Sequence, residues 1–224
     1  MDCKGLIFAL GRQSQASLPI TVTGNRTESA DDIPRVCFTI EVMASAGIRK
    51  ILIGATPENL IRHREAVRQY ADLKAELSYL VLDEDAGVSR GLLSASEFAS
   101  RSSLMIADAG LYCEGRGLSS RLATVLHHCK GVTAFRMRGC LSMEGELVPR
   151  MLVLDARVRD KLRAQDADQL TEISALRKFC AINFGYTECD FEDSSHFVDL
   201  NDCSEVDESI VANALAEIRP APSS

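Results

Sequence analysis

No run of about 18 uninterrupted apolar residues occurs in this 224-residue chain, and its first residues lack the charged, apolar and small-residue regions of a secretory signal. No membrane role is expected, and the expected location is the cytoplasm. A CxxC pair is also missing: the eight cysteines, at 3, 37, 113, 129, 140, 180, 189 and 203, are scattered, most of them in apolar stretches. In a chain neither small nor visibly secreted, this predicts reduced, mostly buried thiols rather than a disulfide framework. His127, His128 and Cys129 sit too close together on a predicted helix to share one zinc ion, and read as a helix end with one buried and one exposed histidine.

Positive charge is scarce. Lys and Arg number 25 against 32 Asp and Glu, a net charge of −7, with a pI near 5.2. A nucleic-acid partner is therefore not expected, because such binding draws on clustered cations to neutralise phosphates. The acidic stretches 83–85 and 188–193 read as solvated loops. No GxGxxG follows the first apolar run, which disfavours a dinucleotide-dependent dehydrogenase. No internal repeat and no linker divides the chain. The 46% of hydrophobic residues supply one core, so a single domain over 1–219 is expected, with a disordered tail at 220–224.

What is present is alternation. Short apolar runs at 5–9, 50–54, 77–82 and 104–107 alternate with segments of helical period, the pattern of βαβ units around a mostly parallel sheet. Val36, Ile40, Met43 and Ala44 keep helical spacing, Gly47 terminates that helix, and Pro57 opens another that runs to about Tyr70. Helices are also expected over 88–99, 116–128, 156–163, 169–179 and 205–218, and strands over 132–138, 151–154 and 181–186. Residues 140–148 read as a hairpin around Glu144-Gly145. Residues 10–32 lack periodicity and are rich in Ser, Thr, Gly and Asn, which marks a long loop.

Four segments carry a resemblance: KGLIFALG (4–11), DIPR (32–35), ASAGIRKILIGATPEN (44–59) and MIAD (105–108). Together they resemble the sugar-1-phosphate nucleotidyltransferases, in particular glucose-1-phosphate thymidylyltransferases, whose chains open with KGIILAGGxGTRLxP and continue with LAGIRDILIISTP and a GDN motif. The implied fold is α/β and Rossmann-like, a mostly parallel, mixed central sheet flanked by helices. The implied chemistry is attack by a sugar-1-phosphate oxygen on the α-phosphorus of a nucleoside triphosphate. That chemistry requires magnesium, cations and backbone amides to screen the phosphates.

Measured against that requirement, the loop is depleted. Of the glycine-rich turn only Gly11 survives, and the family's triphosphate-binding Arg and Lys align with Gln15 and Asn25. Arg12 and Arg26 are the candidate replacement cations and the candidate catalytic residues. The family's pyrimidine-reading Gln aligns with Leu82, which can neither donate nor accept a hydrogen bond. Gly87 keeps the leading glycine of a nucleotide-binding helix start, so the resemblance assigns nucleotide contact to Gly11 and Gly87. The glycine that lies against the sugar aligns with Arg150. Two carboxylates remain, Asp108 at the position of the GDN aspartate and Asp199 in Phe197-Val198-Asp199, and in the family these two positions hold magnesium.

The expectation is a nucleotidyltransferase-like protein without efficient nucleotidyl transfer, acting as a noncatalytic ligand- or partner-binding subunit in a polysaccharide or sugar-nucleotide-related biosynthetic system. The alternative is a divergent enzyme that transfers NMP from an NTP to a small phosphorylated or phosphonate substrate, using Arg12, Arg26 and Arg90. Expected partners are a second copy of the chain or a biosynthetic partner protein, and a nucleotide or sugar phosphate if the chain is active. Leu141, Met143, Leu147 and Met151, on the 140–148 hairpin and the adjoining 151–154 strand, read either as an interface or as completion of the core.

Overall fold

A computed structural model describes residues 2–10, 19–20, 33–68, 74–83, 88–109, 111–114, 118–136, 151–163, 173–190 and 196–199. The run Gly5-Leu-Ile-Phe-Ala9 is apolar without alternation, as a strand buried on both faces must be. It forms the second half of β1 (Cys3–Ala9), and its last five residues are all buried. Two short strands, β2 (Pro19–Ile20) and β3 (Ile33–Pro34), pair antiparallel.

Helix α1 (Arg35–Ser45) buries Val36, Ile40, Met43 and Ala44 and ends where Gly47 takes φ +91°. That left-handed conformation is one glycine adopts without penalty. Strand β4 (Lys50–Ala55), helix α2 (Pro57–Arg68) and strand β5 (Glu76–Val81) complete two parallel crossovers. A helix was expected over the whole of 88–99. The chain instead forms α3 (Val88–Ser94) and α4 (Ser96–Ala99), separated at Ala95, whose ψ is −5°. Hydrogen bonds from Ala95 N–H to Gly91 and from Ala99 N–H to Ala95, both 2.8 Å, carry the helical course across the joint.

Strand β6 (Ser103–Asp108) returns beside β1 on the side away from β4 and is followed by β7 (Leu111–Glu114). The remaining elements are α5 (Leu118–His128), β8 (Val132–Arg136), β9 (Met151–Leu154), α6 (Ala156–Arg163), α7 (Ile173–Asn183), β10 (Tyr186–Asp190) and β11 (His196–Asp199). Seven strands form one mixed sheet in the order β10-β8-β9-β6-β1-β4-β5, in which β9 alone runs against its neighbours, while β11 and β7 form a separate antiparallel pair. One face of the sheet packs against α1, α2 and α5 through residues such as Ile7, Ile40, Val67 and Leu126. The other packs against α3, α4, α6 and α7 through Phe8, Leu92, Ala99, Leu162 and Leu176. This is a helix–sheet–helix sandwich.

Two further sequence expectations need correction. A strand was expected over 181–186, but residues 181–183 belong to α7 and the strand starts at Tyr186. Ile173, Leu176 and Cys180 are buried at helical spacing, and the next step on that stripe is Phe184, whose ring meets Phe179 edge to face at 6.1 Å. Ile182 falls between the stripes and is 83% exposed. His127 and His128 are both exposed, because the α5 stripe facing the core is Leu122, Leu126 and Cys129. Of the two readings of Met151, completion of the core holds: all of β9 is buried, inserted between β6 and β8. Residues 140–148, 205–218 and 220–224 lie outside the described residues, as does most of 10–32. Cys37, Cys129 and Cys180 are buried and Cys3 and Cys189 half-buried, and none of the five is in a disulfide. Burial pushes Cys3, Cys37 and Cys180 up to about 12, so they stay protonated and unreactive.

Gly91 is where the second core is most constrained. A Cβ there would stand 2.7 Å from Cζ of Phe8 and closer still to Cε1, with Leu82 Cδ1 at 3.4 Å. Phe8 lies on β1 between β4 and β6 and is only 4% exposed, so moving its ring disturbs the packed core around it. Gly91→Ala is expected to destabilise the protein by about 1–3 kcal/mol through overpacking, read as a lower urea midpoint with an unchanged slope.

Candidate functional site

The strand order reverses at β1: β4 and β5 extend to one side and β6 lies on the other, all four parallel. In open α/β sheets the crevice at such a reversal, at the carboxyl ends of the strands, is where ligands sit. Asp108 is the last residue of β6 and lies level with Phe8 of β1, at the mouth of that crevice. The end of β6 is pinned from two sides. Thr39 Oγ1 of α1 donates to the Asp108 carbonyl at 3.2 Å, and Ala109 N–H donates to the Phe8 carbonyl at 2.8 Å.

Asp199 lies on β11, in the β7–β11 pair. In its register Asp199 is paired with Leu111, the first residue of β7, which begins three residues after Asp108. Two carboxylates alone are a sparse donor set, and among the described residues no group of three or more His, Cys, Asp or Glu is placed to hold a metal. Magnesium needs only one or two carboxylates, because it keeps waters and takes remaining oxygens from a phosphate. Asp108 and Asp199 are the residues that would hold it. Thr39 and β7 escaped sequence reasoning; the available signal for β7 was the short Leu111-Tyr112-Cys113 run directly after Gly110.

The neighbouring strand ends are less suited to a nucleotide. Leu82, just past β5, is only 4% exposed. Its Cδ1 lies 2.8 Å from where a Gly54 Cβ would be and belongs to the core under α3. Arg90 of α3 forms an exposed ion pair with Asp83 at 3.6 Å. Thr56 begins α2, with its Oγ1 accepting from Asn59 N–H at 3.4 Å. Gly11, Arg12, Arg26 and Gly87, together with Gln15, Asn25 and Arg150, lie outside the described residues.

Elsewhere, His63 of α2 is completely buried, and among the described residues neither ring nitrogen has a hydrogen-bond partner. Desolvation lowers its pKa to about 4, so it is neutral at physiological pH.

No protein-family model and no curated protein sequence matches the chain. Solved structures do. A protein assigned as a glucose-1-phosphate thymidylyltransferase from Bacillus anthracis, in complex with sucrose, is similar over 99% of this chain and 97% of its own, with a TM-score of 0.66 at 15% identity. A UDP-glucose pyrophosphorylase complexed with UDP-glucose is similar over 98% of this chain and all of its own, with a TM-score of 0.58 at 15% identity. HddC from Yersinia pseudotuberculosis complexed with GMP-PN reaches a TM-score of 0.57 at 12% identity, over 97% of this chain and 100% of its own. At such identities the similarity establishes the nucleotidyltransferase-like fold.

Proposed function

We propose that this nucleotidyltransferase-like chain has lost efficient nucleotidyl transfer and serves as a noncatalytic ligand- or partner-binding subunit in a polysaccharide or sugar-nucleotide-related system. The observation that carries the reading is Leu82. At the position where the resembling family reads a base through hydrogen bonds, this chain has an aliphatic side chain packed into the core beneath Gly54 and Gly91. An aliphatic group cannot replace those bonds, and unpaired polar edges on a ligand discriminate strongly against binding. The neutral Gln15 and Asn25 add to this, since each lost charge-assisted phosphate contact removes about 2 kcal/mol or more.

A pyrophosphate-release assay with glucose-1-phosphate and dTTP or UTP in magnesium is expected to give no turnover in the usual ~1–10³ per second range. Turnover in that range sinks the proposal. The second reading, a divergent enzyme acting on a small phosphorylated or phosphonate substrate, draws on Asp108 at the strand reversal and on Asp199, carried by the strand that pairs with β7. Thermal shift separates the two. An enzyme saturated with its triphosphate and magnesium gains about 2.7 kcal/mol at a hundredfold excess over Kd. The noncatalytic subunit is expected to give no shift with any of the common triphosphates, and a shift abolished by Asp108→Asn would favour the enzyme.

A further inference from the structure

The sheet ends at β5, and the geometry of that edge points to a second copy of this chain. Glu76 N–H donates to the Arg49 carbonyl at 2.7 Å and Leu82 N–H to the Ala55 carbonyl at 2.9 Å, with unbroken parallel register between them. Hydrogen-bonding direction alternates along a strand. Ser78 and Leu80 therefore also face β4, and Leu77, Tyr79 and Val81 turn their N–H and C=O groups away from the sheet. Among the described residues nothing pairs with those groups.

Open edges are ordinarily blunted by lysine, proline, bulges or inward charges. The strand Glu-Leu-Ser-Tyr-Leu-Val has none of these in its interior. Its one charge, Glu76, stands at the first position and is tied to Lys50 at 3.7 Å. Val81 is 58% exposed, and on the adjoining α2 Ile61 is 61% exposed. The opposite edge strand, β10, carries Glu188 and Asp190 instead.

We propose that β5 pairs antiparallel with β5 of a second copy about a two-fold axis at Tyr79, extending the sheet across the dimer. Tyr79 then faces its own symmetry mate in a hydrogen-bonded pair, and Leu77 of each copy faces Val81 of the other. All three outward-turned residues are satisfied in this register and in no register shifted by one. The pairing is also charge-compatible: Glu76 falls opposite Leu82, Ser78 opposite Leu80, and no like charges meet within the strands. On the α2 side, Arg64 lies over the Tyr79 ring at 5.5 Å, and the exposed charges along the helix have both signs: Glu58, Arg62, Arg64, Glu65 and Arg68. Glu58 and Arg62 already neutralise one another at 3.1 Å. Such closed, isologous contacts are the commonest route to a homodimer.

Sedimentation of the full chain at tens of micromolar is expected to give twice the 24.4 kDa chain mass. Val81→Lys, which places an ammonium against Leu77 of the other copy, should return it to one chain with an unchanged circular dichroism spectrum. Amide exchange on the unmodified chain decides the matter without any variant. On raising concentration, the amides of Leu77, Tyr79 and Val81 should gain protection at least tenfold, while those of Ser78 and Leu80 stay protected throughout. A chain that stays monomeric to a few hundred micromolar, with those three amides unprotected, overturns the self-pairing. So does a dimer that Val81→Lys leaves intact.

Discussion

Arg159→Met is expected to lower the unfolding free energy by about 3 kcal/mol. The guanidinium is buried on α6, with Nη1 donating to the Ser102 carbonyl at 2.8 Å and Nη2 donating to the Ser100 carbonyl. Asp160, exposed, lies 3.3 Å from the same Nη2 and contributes little. Each bond from a charged donor is worth about 1.5–3 kcal/mol, and methionine of similar bulk leaves both carbonyls without a partner. Relief of guanidinium desolvation and of the unpaired Nε offsets part of the loss. The two carbonyls belong to the turn leading into β6, where Ser100 holds φ +49°, a left-handed conformation rare outside glycine. Ser100→Gly should therefore stabilise the protein by up to about 1 kcal/mol. Urea titration of the two single variants and the double variant tests both statements. A loss below about 1 kcal/mol for Arg159→Met means that water replaces the guanidinium and that Arg159 does not organise the turn.

The second large effect is acid sensitivity through His63. Its folded-state pKa of about 4 lies below the ordinary 6.5 because the ring is desolvated. Above pH 6.5 the ring is neutral in both folded and unfolded chains and adds no pH dependence. As pH falls from 6.5 to about 4, the unfolded chain takes up the proton and the folded one does not. Stability is lost progressively over that window, by about 3 kcal/mol in all, and the loss levels off below pH 4. His63→Leu removes this term. It also removes two unpaired buried nitrogens, each of which costs about 1–3 kcal/mol at any pH. The variant is expected to be more stable than the parent at pH 8, by an amount that grows by about 3 kcal/mol at pH 4. Denaturation of both proteins at several pH values cancels the contributions of His127, His128 and His196. Parallel stability curves would show that His63 is solvated or paired in solution.

Much of the first half of the fold was legible before any coordinates. The apolar runs at β1, β4 and β6 have no polar alternation, so they had to be strands buried on both faces, and glycine at 47 and proline at 57 mark helix boundaries through backbone chemistry alone. The position of Asp108 at a strand end followed from the same reading. The boundary between α7 and β10 did not. The run Cys180-Ala-Ile-Asn-Phe184 suits either period, and only the burial of Cys180 together with the exposure of Ile182 decides for a helix. His63 had no signature either, since a lone histidine on the Leu60–Val67 stripe is exposed or buried according to what packs over it.

The sequence by itself determined the βαβ alternation, the acidic surface balance, the absence of a dinucleotide fingerprint and the chemistry of Leu82, because these depend on side-chain type and local spacing. Tertiary structure alone decided that β9 enters the middle of the sheet antiparallel, that the strand carrying Asp199 pairs with β7, and that β5 is left with an open edge among the described residues. Those facts depend on which strands pair across long separations. Hydrogen-bonding groups on a backbone are the same at every residue, so nothing in a strand's own residues states which neighbour it will have.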